Sequence, residues 1–117
     1  MLLNLSNHPS AKWSETQQAA AEARYSKVED LPFPNIDPNW TEAEVQRLAE
    51  EYLEQVIQMA PTAVHIMGEM TFTYTLVRQL MAAGIPCLAS TTERIVSEEE
   101  GKKVVQFKFV QFRRYEP

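Results

Sequence analysis

The sequence predicts an α/β fold: a Rossmann-like three-layer sandwich on a mostly parallel sheet. Three observations predict it. Short apolar runs of strand length alternate with helical patterns through the first three quarters of the chain. Thr62 to Arg94 reads as apolar run, helix, apolar run, the pattern of a parallel crossover unit. The last apolar segment, Val104 to Phe112, has no crossover helix before it, which predicts a C-terminal antiparallel edge strand. Right-handed crossovers put the first strand in the centre and give the order 2-1-3-4-5. All 117 residues are expected to form one domain, residues 1–117.

The elements follow in order. Leu2 to Ser6 is short and apolar, a strand that stops at the turn-forming Asn7-His8-Pro9-Ser10. Ser14 to Gln17 has the Ser-x-x-Gln spacing of a capping box, so a first helix follows to Arg24 or Tyr25. Ser26 to Leu31 is a weak second strand, ended by three prolines between Pro32 and Pro38. Phe33 and Ile36 anchor that loop. Thr41 to Glu44 is a second capping box, with Trp40 and Val45 as a hydrophobic staple. Val45, Leu48, Tyr52, Leu53, Val56 and Ile57 then form a helical stripe that Pro61 ends. Ala63 to Met67 is the third strand, Thr71 to Ala83 the third helix with Gly84 at C′, and Ile85 to Ala89 the fourth strand. Ile95-Val96 and Val104 to Phe112 flank the acidic turn Ser97 to Gly101 and suggest a hairpin.

Composition excludes several function classes. The apolar fraction is 44% and the charged fraction 23%, ordinary for a globular protein. The apolar runs are too short to cross a membrane, and the first residues lack the basic and apolar regions of a secretory leader. Cys87 is the single cysteine, so no internal disulfide forms, and its apolar strand fits a reducing cytoplasm. The net charge of −5 argues against long nucleic acid as a partner but not against a small anionic ligand. His8, His65 and Cys87 lack metal-ligand spacing, and neither a dinucleotide fingerprint nor a Walker motif is present. No metal and no cofactor is expected.

Three groups of residues at strand ends carry chemistry. Ser6, Asn7 and His8 offer a hydroxyl, an amide and an imidazole that suit a phosphate or ribose, or else hold a turn by bonding the backbone. Gly68, Glu69, Met70 and Thr71 open the third helix. They offer either an anion site at free N–H groups or a carboxylate that caps those groups itself. Ser90, Thr91, Thr92, Glu93 and Arg94 follow the fourth strand and suit a phosphate or carboxylate, or form an ordinary polar connection. With strand one central, the Asn7-His8 and Gly68-Glu69 loops face each other across one crevice at the switch point. His65, between Val64 and Ile66, reads as a core or interface histidine making one hydrogen bond. Trp13, Trp40 and Phe33 read as staples and loop anchors.

Leu3 to Ser10, with Trp13 to Gln17 after it, the Gly68-Glu69 step and the helix through Leu80 give the chain a family likeness. It resembles small CRISPR-associated proteins of the CARF-like, Rossmannoid set, some of whose members are ring nucleases. The resemblance implies a homodimer that binds cyclic oligoadenylate at its interface. It implies cleavage without metal, by setting a ribose 2′-hydroxyl against the adjacent phosphate. Ser6, Asn7, His8 and Gly68 to Thr71 would line the pocket, with Arg94 toward the phosphates. His8 would be general acid or polariser, and the Ser6 and Thr71 hydroxyls would stabilise charge. Two other readings stay open. Glu69 would be the nucleophile of a nucleoside deoxyribosyltransferase-like enzyme, or the chain would be a non-enzymatic regulatory or interaction module using Val104 to Phe112.

Overall fold

Leu2–Ser6 forms β1, and all five of its residues are buried, as a strand covered on both faces requires. A computed structural model describes residues 1–117. After β1 come a 3-10 turn at Ser10–Lys12, α1 (Glu15–Tyr25), β2 (Val28–Asp30), α2 (Glu42–Met59), β3 (Ala63–Met67), α3 (Met70–Ala82), β4 (Cys87–Glu99) and β5 (Lys102–Arg114). The five strands make one sheet in the order β2-β1-β3-β4-β5. The first three pairings are parallel and β4 with β5 is antiparallel, as the sequence predicts.

The helix ends follow from local chemistry. The Ser14 hydroxyl accepts from the Gln17 N–H at 3.2 Å and starts α1. Thr41 accepts from the Glu44 N–H at 3.4 Å and starts α2. Ala60 ends α2 in a left-handed conformation just before Pro61. Gly84, at φ +83°, lets the chain leave α3 where an L side chain is strained.

Alternation along β1 and β3 divides the core. Leu3, Leu5, Val64 and Ile66 face α2 and α3, where Val45, Ala49, Val56, Phe72, Leu76 and Leu80 complete the larger cluster. Leu2, Ala63 and Leu88 face α1 and meet Trp13, Ala21, Phe109 and Phe112. One 11-residue helix therefore covers a face that two longer helices cover on the other side. The upper part of the α1 face, at the carboxyl ends of β1 and β3, is left without a helix.

The fourth strand departs from expectation. It does not stop at Ala89. It runs to Glu99, and Ser90 to Arg94 are strand residues paired with β5, not a loop past a strand end. Polar residues suit a strand there because β3 ends at Met67 and the partners of Ser90 and Thr92, Phe112 and Phe109, supply the buried side chains, while β4 is exposed from Thr92 outward. Ser90 to Glu99, at about 3.3 Å per residue, carries this arm roughly 30 Å beyond the body. The long axis is accordingly 49 Å, and the radius of gyration 15.8 Å exceeds the roughly 13 Å usual for this length. Glu100 (φ 52°) and Gly101 (φ 76°) close the tip, the two positive φ values of a tight hairpin loop.

Candidate functional site

The site grows from Asn4, a buried amide in the middle of β1. Its Nδ2 donates to the Asp30 carboxylate at 2.8 Å and to the His8 carbonyl at 2.9 Å. Both partners are acceptors, so the amide's orientation is fixed. Its Oδ1 accepts from the Ser6 hydroxyl at 2.8 Å and from His65 Nδ1 at 2.9 Å. Asn4 thus ties β1 to β2, to β3 and to the loop after β1. The His8 carbonyl also accepts from the Trp13 indole at 3.0 Å, and Asp30 accepts from the Ser10 N–H and hydroxyl. Burial pushes the Asp30 carboxyl up, but the bonds from Asn4 and Ser10 outweigh it and leave the group below its usual range.

Above this network lies an open crevice of about 530 Å³ on the α1 face. Ser6, Asn7 and His8 form one wall. Lys12, Ser14 and Gln17 bring the N-terminal turn of α1 to a second. Thr92, Phe107 and Phe109 at the root of the arm form a third, and Met67, Gly68 and Ser90 close the side toward β3 and β4. His65 lies at the bottom, only 2% exposed. Its ring meets Trp13 and Phe112 edge-on, with centroids at 5.2 and 5.6 Å. Burial, helped by the charge of His8, lowers its pKa to about 4, so it is neutral at pH 7. Nδ1 faces an acceptor and carries the proton. Nε2 is then a bare lone pair, buried and without a partner in the protein. His8, at the rim, reaches the Lys12 carbonyl through Nε2 at 3.2 Å.

Several residues predicted for the site lie elsewhere. Glu69 does not line the crevice. Its carboxylate caps α3, accepting from the Phe72 N–H at 2.8 Å and the Thr71 hydroxyl at 2.7 Å. Those bonds hold its pKa below the usual value. The anion-binding terminus expected at α3 is thereby filled from within the chain, and Thr71 is committed to the same cap. Met70 is exposed in a shallow apolar hollow beside Tyr74, away from the crevice. Gly68 does line the crevice, but the space its missing side chain leaves is taken by Phe33. A Cβ there would sit 2.3 Å from that ring. Thr91 points to the opposite face and bonds the Gln111 backbone, whereas its neighbours Ser90 and Thr92 line the crevice. Arg94 does not line the crevice but pairs across the ribbon with Phe107, which does.

His65 is buried with one hydrogen bond, Trp13 is an anchor and Ser14 caps α1, as the sequence suggests, but the sequence does not place them or Lys12 at the crevice. A signal for Lys12 existed, since the capping Ser14 lies two residues after it. Nothing in the flanks of His65 marked it. No three His, Cys, Asp or Glu side chains gather into a metal-holding cluster. No helix is long and apolar enough to cross a membrane. Burial pushes the Cys87 thiol up to about 12, which makes it a packing residue and no nucleophile.

The family model described as "Uncharacterized protein MJ1673 family" matches residues 1–113. The chain belongs to the MJ1673 family. All the crevice residues fall within the stretch that matches the MJ1673 family, and so do Asn4 and Asp30 beneath them. No curated protein and no solved structure matches the chain significantly.

Proposed function

We propose that the crevice binds a nucleotide-type ligand and that the bound ligand is cleaved without metal at a ribose phosphodiester. The observation that carries this reading is the make-up of the crevice. Lys12 and the α1 N-terminal turn provide cationic and N–H groups for phosphate. Phe107 provides an exposed aromatic face for a base, and Ser6 and His8 stand at the strand end between them. The resemblance to CARF-like CRISPR-associated proteins, carried by this same first stretch, favours cyclic oligoadenylate. In the cleavage step the ribose 2′-oxygen loses its proton to solvent water in the open crevice and bonds to the adjacent phosphorus. The bond from phosphorus to the 5′-oxygen breaks, and His8 gives that oxygen a proton. The products end in a 2′,3′-cyclic phosphate and a 5′-hydroxyl. The test is incubation with cyclic tetra-adenylate in excess EDTA, with binding read by calorimetry and products by chromatography. The expected result is turnover by the intact protein, and retained binding but slowed turnover in His8→Ala. Neither binding nor turnover by the intact protein removes the reading.

A second reading is favoured by the arm, which exposes Val96, Val105 and Phe107 on one face, Ile95 on the other, and Val110 at the bulge. Such a surface suits an interface, and a homodimer is the simplest occupant. Light scattering of intact protein and Phe107→Glu tests it. A monomer in both at high concentration removes it.

A further inference from the structure

We infer that His65 Nε2 is a built-in acceptor for a ligand hydroxyl, and that it makes the crevice selective for ribose over deoxyribose. The choice of a sugar rests on the nucleotide reading. The demand for a donor stands on geometry alone.

The tautomer follows by elimination. Asn4 Nδ2 faces two acceptors, so Asn4 Oδ1 faces His65, and Nδ1 must carry the proton. Nε2 can then only accept. It is buried and bonded to nothing in the protein, in a ring that lines the crevice floor. Its low pKa keeps it unprotonated down to about pH 4, so acid in the neutral range does not turn it into a phosphate-binding cation. A phosphate oxygen, which only accepts, therefore finds no partner at this point, whereas an O–H does. Trp13 and Phe112 both pack edge-on against the ring and lie 6.1 Å from each other, so they crowd one side of it and hold it in place. The phosphate is then placed nearer Lys12 and the α1 N-terminal turn.

The test uses the whole chain with nitrogen-labelled histidine, read by long-range nitrogen–proton NMR at pH 7. In the free protein Nδ1 is expected to be protonated and Nε2 bare. A protonated Nε2 overturns the inference. Two probes are then added separately, ribose 5-phosphate and cyclic tetra-adenylate, each beside its 2-deoxy or 2′-deoxy counterpart. The ribose form is expected to move the Nε2 resonance and to bind about tenfold or more tightly than the deoxy form, a preference that His65→Phe loses. If ribose 5-phosphate moves Nε2 and cyclic tetra-adenylate does not bind, the inference stands and the oligoadenylate reading fails. If no ribose probe moves Nε2, a resident water satisfies that nitrogen and the inference is overturned. The resonance is measured on the intact sequence, so the result does not depend on the variant folding.

Discussion

Replacing Asn4 by alanine removes four hydrogen bonds, but the partners are left in different positions. Asp30 keeps both bonds from Ser10, the His8 carbonyl keeps Trp13, and the Ser6 hydroxyl still reaches the His8 carbonyl at 3.2 Å. Only His65 is stranded, with both ring nitrogens buried and unpaired. An unsatisfied buried donor costs about 1–3 kcal/mol, and each exchanged bond loses a few tenths to about 1 kcal/mol more. The sum is about 3 kcal/mol, a large part of the roughly 5–15 kcal/mol that holds a domain folded. It corresponds to a fall of about 10 °C in melting temperature. The decisive measurement is a double-mutant cycle in urea with His65→Phe, which keeps an aromatic ring against Trp13 and Phe112 and needs no partner. In that background the stranded donor does not exist. Asn4→Ala should then cost less than in the parent by about 1–2 kcal/mol. A coupling within about 0.5 kcal/mol of zero, with unchanged urea slopes, would refute the network as the source of stability at the crevice floor.

Other perturbations have equally definite outcomes. The folded pKa of His65, about 4, lies below its ordinary value of 6.5. Unfolded chains therefore take up a proton that the folded protein refuses, and stability falls as pH drops from 6.5 to 4. The fall is at most about 3 kcal/mol, and it should flatten in His65→Phe. Asp30 and Glu69, whose pKa values are lowered, add their losses at more acid pH, below the usual carboxylate range. An equal slope in parent and His65→Phe between pH 6.5 and 4.5 would show that another group is responsible. Gly68→Ala drives a Cβ into the Phe33 ring and should cost about 1–3 kcal/mol, with part recovered in Gly68→Ala/Phe33→Leu; no loss in urea would mean that the proline loop moves freely. Glu69→Ala should cost about 1 kcal/mol through the lost cap and leave ligand affinity unchanged. A loss of turnover at unchanged affinity would restore Glu69 as a reacting group.

The sheet order was legible because it follows from burial and handedness. Leu2–Ser6 and Ala63–Met67 carry strand-length apolar runs, and each helix between strands announces its start with a cap. The course of β4 was not legible. Ser90 to Arg94 are polar, and a polar run after an apolar one normally marks a strand's end. That rule has no force where the partner strand supplies the apolar side chains, Phe109 and Phe112 at the root, and where the outer ribbon is exposed. Two of the five residues of the third group line the crevice on strand parity alone: Ser90 and Thr92 face it, and Thr91 faces away. The role of Glu69 was legible as one of two alternatives, since a carboxylate just before a helix can always cap it. His65 was legible only as buried. Its meaning depends on Asn4, which is 61 residues away in sequence and directly opposite it across the β1–β3 pairing. Chemistry created by strand pairing leaves no mark on the flanks of either residue.

The arm also acts as a lever. Its ladder slips by one residue at Thr91/Thr92, near the body. A bulge of this kind is where a ribbon bends. Phe107 sits opposite Arg94, about 13 Å from the root at Ser90, and the tip is roughly 30 Å out. A swing of about 10° at the bulge moves the tip by about 5 Å and Phe107 by about 2 Å. The same swing widens or narrows the crevice wall by about 2 Å. Whatever takes hold of the far end of the ribbon therefore has a mechanical grip on the mouth of the site, at a distance from which it touches none of the residues inside.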